Sequence, residues 1–304
     1  MVLAGTRTPQ PRMDEPDERK ERNEFLHVDG LLPGVVSTVV GYCSSGAPEG
    51  VHRGLPSPYL TFIFSLHDPI VSATVPEQLD TADAASTSIV TGGLHTTPAY
   101  IRQPSAQTGI QLAVHPLAAR RLFGASTAEL TGSILDGLDV LGAESERLRM
   151  RLVETPSWDQ RFMLLREFLR RRVTATENQQ RVRAEVAEAW TWMARHRGTG
   201  SIDGLARHVL LSRRQLNTLF AREVGLSPKS VSRLMRFQQA IRHITSPVRD
   251  GTSADLAQVA ADCGYFDQSH LIRDFRQFSG TSPSRWLAEE RRNIQAGGHR
   301  NGDG

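Results

Sequence analysis

Apolar positions along the chain change their period near residue 115. Before it, they come in short runs. Residues 35–40 are rich in valine, and residues 59–66 (YLTFIFSL) alternate, with Leu60, Phe62, Phe64 and Leu66 on one face. Further short strand-like segments fall at 88–91 and 110–114, separated by turn-forming clusters such as GAPEG and GLPSP. Short strands between turn signals predict a β-sandwich or barrel. The alternating face at 60–66 is apolar enough to line either a core or a small cavity.

After residue 115 the pattern becomes helical. A short helix is expected at 116–123. Ser157 with Gln160 three residues on reads as a capping box. Trp158, Phe162, Leu165 and Leu169 follow at helical spacing, and Arg170, Arg171 and Arg172 suit the C-terminal end of that helix. The polar stretch 174–180 is the expected linker, after which Val182, Val186, Trp190 and Met193 mark an amphipathic helix closing at Gly198. Residues 1–24, charged and proline-rich, read as a disordered leader.

A repeat with an offset of 55 residues dominates the C-terminal third: Ala206 aligns with Ala261, Leu216 with Leu271, Phe220 with Phe275, Gly225 with Gly280, Ser227 with Ser282 and Pro228 with Pro283. Each copy reads as helix, tight turn, helix. In the first, Ile202, Leu205, Ala206 and Val209 form the inner face of the leading helix, and Ser212 with Gln215 caps the next. In the second, Leu256, Val259, Ala260 and Cys263 take the inner face, Gly264 the turn and Asp267 the cap. Each Ser-Pro pair sets an N-cap before a first-turn proline, so a further helix starts there. A helix-turn-helix reads the major groove with the outward residues near the start of its second helix. Those residues are Arg213, Arg214, Asn217 and Thr218 in one copy (helix near 212–223). In the other they are Gln268, Ser269, Ile272 and Arg273 (helix near 267–278). Arginine suits guanine edges, Asn and Gln suit adenine, and an apolar group can meet a thymine methyl. A connecting helix over 228–244 would be roughly 25 Å long, long enough to set two such probes about one DNA turn apart.

Charge strengthens this reading. The 304-residue chain carries a net +3, but residues 1–180 hold 17 Lys and Arg against 21 Asp and Glu, and residues 181–296 hold 18 against 11. A net +7 on the C-terminal third suits a polyanion, although charge alone fits a solvated surface equally well. No apolar run is long enough for a membrane helix and the first residues lack the apolar core of a secretion signal, so a cytoplasmic location without membrane contact is expected. Cys43 and Cys263 form no ligand-spaced cluster.

The strings SRRQLNTLFAREVGLSPK and GYFDQSHLIRDFRQFSGTSPSRW, joined by one helix, resemble the AraC/XylS family of bacterial transcription regulators over about residues 181–290. The resemblance implies seven helices in two helix-turn-helix subdomains, with base contacts at the eight probe positions. Thr218 departs from a longer basic residue in some relatives. Residues 22–175, through LPSPYLTFIFSL and GIQLAVHPLAARRLFG, resemble the N-terminal domain fused to this module in some members. That resemblance implies a cupin-like β-domain that senses a ligand or mediates dimerisation.

The expected fold class is therefore α+β: a β-rich sensor or dimerisation domain over 25–175 and an all-α DNA-binding domain over 181–296. The partners expected are double-stranded DNA and an unidentified small-molecule effector, with RNA polymerase and a second copy of the chain as further candidates. His27, His52, His67, His95 and His115 include no His-x-His pair, and neither a G-x-S-x-G elbow nor a phosphate-binding loop occurs. No cofactor, metal or catalytic residue is expected. The leading function is ligand-responsive transcriptional control, as activator or repressor. The alternatives are an enzyme or small-molecule carrier with an autoregulatory DNA-binding region, and a nucleoid-type architectural protein.

Overall fold

Two antiparallel sheets and twelve α-helices make up the computed structural model, which describes residues 22–132, 134–175, 181–249 and 251–295. The strands are β1 (Arg22–Asp29), β2 (Val36–Ser45), β3 (Gly50–Gly54), β4 (Leu60–Ser65), β5 (Ile70–Ala73), β6 (Ala85–Thr87), β7 (Ile89–Gly92), β8 (Ala99–Gln103), β9 (Ala106–Val114) and β10 (Ile134–Asp136). One sheet runs β1-β2-β9-β4-β7-β10 and the other β3-β8-β5-β6. No pairing joins them among the described residues, so the β-domain is an open sandwich and not a closed barrel.

Register explains which face is core. Leu60, Phe62 and Phe64 of β4 lie opposite Val114, Leu112 and Ile110 of β9, and Leu112 also faces Val39 of β2. All of these are essentially inaccessible. They pack under α1 (Ala119–Phe123), α2 (Thr127–Leu130), α3 (Gly137–Leu141), α4 (Ala143–Glu154) and α5 (Trp158–Ala175), with Phe62 and Phe123 in edge contact. The other face of the same strands looks towards the second sheet. Helix α5 continues three residues past the arginine triplet expected to end it. Arg172 instead reaches sideways, donating to the carbonyls of Leu122 (2.9 Å) and Leu141 (3.1 Å) at the ends of α1 and α3. Its charge thus serves the C-terminal dipoles of two neighbours.

The sequence boundaries shift slightly. Strand β1 starts at Arg22, inside the expected leader, and pairs along its length with β2; residues 1–21 lie outside the described residues. Helix α5 takes in Thr174 and Ala175, and 176–180 of the expected linker lie outside the described residues.

Seven helices follow: α6 (Ala184–Arg195), α7 (Ile202–His208), α8 (Arg213–Val224), α9 (Pro228–Arg249), α10 (Leu256–Asp262), α11 (Gln268–Ser279) and α12 (Pro283–Gln295). Helix α9 has 22 residues, five more than its apolar pattern suggests, and includes Pro247 in its last turn. At 1.5 Å per residue it is about 33 Å long. Packing divides the molecule at an unexpected place. One apolar cluster runs from the sandwich (Val39, Phe62) through α5 to Trp190, Leu216, Phe220 and Val231. A second gathers Phe237, Phe275, Phe278 and Trp286 around the rest of α9 with α10–α12. The first repeat unit therefore shares its core with the β-domain.

Candidate nucleic-acid interface

Each repeat unit is fixed by caps and anchors. Ser201 caps α7, accepting from the amide of Gly204 at 3.0 Å. Ser212 and Gln215 form the capping box of α8, with both reciprocal bonds present. Leu216, Phe220 and Val224 bury the inner face of α8, and Gly225 closes it at φ 81°. In the second unit Asp255 caps α10 and Asp267 caps α11, accepting from the amide of His270 at 2.7 Å. Leu271, Phe275 and Phe278 are the anchors, and Gly280 ends α11 at φ 72°.

The two units superpose with a change of offset. Helices α8 and α11 match at 55 residues, whereas α7 and α10 match at 54. The counterpart of buried Ala206 is thus buried Ala260, and the identity with exposed Ala261 is a coincidence. The turn in the second unit is one residue longer, and Phe266 is the added residue.

The eight expected contact residues all lie in the first two turns of α8 and α11. Seven are exposed, and Ile272 is half-buried. Arg213 is held by an ion pair with Asp203 of α7. Thr218 donates its hydroxyl to the Arg214 carbonyl at 3.0 Å, so its polar atom is engaged within its own helix. Arg213 and Arg214 occupy the first two positions of α8, where the helix dipole disfavours cations. An anion outside the chain would reverse that penalty.

Residues not legible in the sequence set the geometry of the probes. Buried Asp274 of α11 accepts from Arg233 of α9 at 2.8 Å, and Arg233 also donates to Gln277 at 2.6 Å. That network fixes the second probe helix to the connector. Arg236 of α9 stacks over Tyr265, whose hydroxyl pKa is pushed up by burial. Cys263 is buried, which raises its thiol to about 11, so it is packed core with little thiolate.

The β-domain grips both units at the far ends of their probe helices. Arg120 of α1 makes a two-pronged ion pair with Glu223 of α8 (2.8 and 3.0 Å). Thr131 donates to the carbonyl of Val224 at 3.2 Å. A side chain at Gly225 would collide with Ala128 and Thr131, so the approach requires glycine there. On the second unit, Gly280 lies against Tyr100 and Pro98, while Arg53 and His52 of β3 pair with Glu289 and Glu290 of α12. Burial opposes protonation of His52, but Glu290 outweighs it and raises the pKa. His115, edge-on to Trp190 of α6, is pushed down to about 4 by burial and accepts from the Leu117 amide.

A cavity of about 510 Å³ lies between the two sheets and reaches α9. Leu60, Phe62, Phe64 and Leu66, whose shared face suits either a core or a cavity, are packed core. Thr61, Ile63 and Ser65, on the reverse face of β4, line the cavity instead, with Tyr42 and Gln111. Gln238 and Ile241 of α9 close one side. Buried Ser72 contributes a hydroxyl without a protein partner. Among the described residues no group of three or more His, Cys, Asp or Glu comes together as a metal site, and no helix is long and apolar enough to cross a membrane.

Residues 205–289 match the helix-turn-helix domain family. The C-terminal third is a helix-turn-helix domain of the AraC/XylS type. The chain is 28% identical over 165 residues to the arabinose operon regulatory protein of Escherichia coli, a match covering 53% of this chain and 51% of that protein. The corresponding protein of Salmonella typhimurium is 29% identical over 164 residues, covering 53% of each. The chain thus spans about half the length of the curated relatives it matches. The apo structure of a ToxT variant from Vibrio cholerae aligns with 82% of this chain and 97% of its own, with a TM-score of 0.50 and 10% identity, a likeness of fold. The matched residues 205–289 run from within α7 into α12 and take in α8 and α11 whole.

Proposed function

We propose that this protein is a sequence-specific, DNA-binding regulator of transcription. Helices α8 and α11 read successive major-groove segments, and the β-domain senses a small molecule. One observation carries the reading: two capped helices, each anchored by Leu and Phe on its inner face, expose a matched set of polar and basic residues in their first two turns. Arg214 and Arg273 would take guanine edges, Asn217 and Gln268 adenine edges, and Ile272 a thymine methyl. Arg213, freed from Asp203, would serve phosphate or base. Such a protein works in the cytoplasm, where the DNA is.

The sensing role rests on the cavity and its neighbours. A molecule held between the sheets would touch Gln238 and Ile241 on α9, the helix that joins the two probes. Its presence would therefore bear on the angle between them without passing through the linker. The test is selection of duplexes from a random library by the full chain. The expected product is two conserved half-sites about 10 bp apart. Enrichment of no common sequence would sink the specific-regulator reading.

A further inference from the structure

Among the described residues the exposed large hydrophobic side chains fall in two groups. Most, such as Met163 and Met150, are about half exposed, whereas Leu210 and Phe266 reach 91% and 92%. These two share one location: each sits in the turn that leads into a probe helix. Leu210 is two residues before the cap Ser212, and Phe266 immediately precedes the cap Asp267.

Both positions carry a second oddity. Leu210 adopts a left-handed backbone, φ 55°, which leucine disfavours. Its structural counterpart in the second unit is Gly264, at φ 70°, the residue that suits this conformation. The first unit thus keeps a strained, solvent-exposed leucine where glycine would be relaxed. Phe266 is the residue by which the second turn exceeds the first. Neither side chain packs on the fold, so folding does not explain them, and strain at an exposed residue points to function.

We propose that Leu210 and Phe266 are apolar contacts to duplex DNA, meeting deoxyribose edges and thymine methyls beside the bases read by α8 and α11. The proposal rests on the DNA-binding reading and adds two residues to it. Their neighbours favour this occupant. Leu210 lies within four residues in sequence of exposed Arg207, His208, Arg213 and Arg214, of which His208 pairs with Glu188 and Arg213 with Asp203, and the turn bearing Phe266 is backed by Arg236 stacked on Tyr265. The basic setting matches a polyanion whose sugars and methyl groups supply apolar surface in the groove wall. Single apolar side chains at two separate turns make no continuous patch of the kind an apolar protein partner covers.

The experiment measures binding of the full chain, Leu210→Gly and Phe266→Ser to one selected operator across a salt series, with Tm for each protein. Leu210→Gly is expected to raise Tm, because the strain is relieved, and yet to weaken binding about five- to tenfold. Phe266→Ser should weaken binding similarly at an unchanged Tm. Neither should alter the slope of log affinity against log salt, since an apolar contact displaces no counterion, while Arg214→Ala run in parallel provides a charged comparison. Unchanged affinity in both variants, with the wild type bound, overturns the proposal and leaves the DNA reading standing. Unchanged affinity with lost promoter output assigns the tips to a protein partner and also overturns it. Absence of wild-type binding to any duplex removes the underlying reading itself.

Discussion

Arg214 is exposed at the second position of α8, against the helix dipole, whereas Arg273 is exposed in the second turn of α11. Replacing either with alanine costs the fold little, because surface substitutions away from packed features stay within about 0.5 kcal/mol. On DNA each should cost about 1–3 kcal/mol and relax preference at its own half-site only, as read from binding to single-base operator variants. Equal loss on every sequence would instead mark phosphate anchoring. Asp274 behaves in the opposite way. It is buried and paired with Arg233, so Asp274→Ala leaves a guanidinium without its carboxylate and should destabilise the protein by about 3 kcal/mol in chemical denaturation. A change under 1 kcal/mol would contradict the structural role assigned to that pair.

At the scale of elements, pH separates two contacts between the halves. His115 is half-buried beside Trp190, and desolvation lowers its pKa to about 4, below the ordinary histidine value of about 6.5. The unfolded chain binds that proton first, so stability contributed by neutral His115 falls as pH drops from about 6.5 towards 4. His52 has the opposite sign: its raised pKa makes the contact with Glu290 strongest in mild acid, and its contribution is lost as pH rises through the folded value. His115→Gln should flatten the acid limb of Tm against pH, and His52→Gln should remove the stability lost as pH rises past the ordinary histidine value; identical profiles for all three proteins would refute both assignments. Much of this level was legible in the sequence. The Ser212–Gln215 box, the Asp267 cap and the Leu216, Phe220, Leu271 and Phe275 anchors are local, so spacing alone reveals them. The longer second turn was hidden by the chance identity of Ala206 and Ala261. Alternation over 59–66 puts Thr61, Ile63 and Ser65 together on the other face of β4, but only the second sheet makes that face a cavity wall. Arg120–Glu223 and Arg233–Asp274 join residues far apart in sequence, beyond the reach of periodicity.

The whole molecule departs most from a modular picture. The first repeat unit shares its apolar cluster with the sandwich, and the β-domain holds the C-terminal ends of both probe helices while leaving their first turns exposed. The β-domain is thereby placed to set the relation between the probes. Arg120→Ala removes one clamp without touching a DNA-facing residue. It should leave half-site preference intact and widen the tolerated spacing between half-sites, measured on operators with inserted base pairs; an unchanged spacing optimum would mean the clamp is incidental. Hydroxyl-radical footprinting of the full protein on a selected operator decides whether one chain reads DNA with two helices. Two protected windows about 10 bp apart on one face of the duplex are expected, with Arg214→Ala weakening only one window and Arg273→Ala only the other. A single window, or two windows that weaken together in both variants, would contradict reading by two helices.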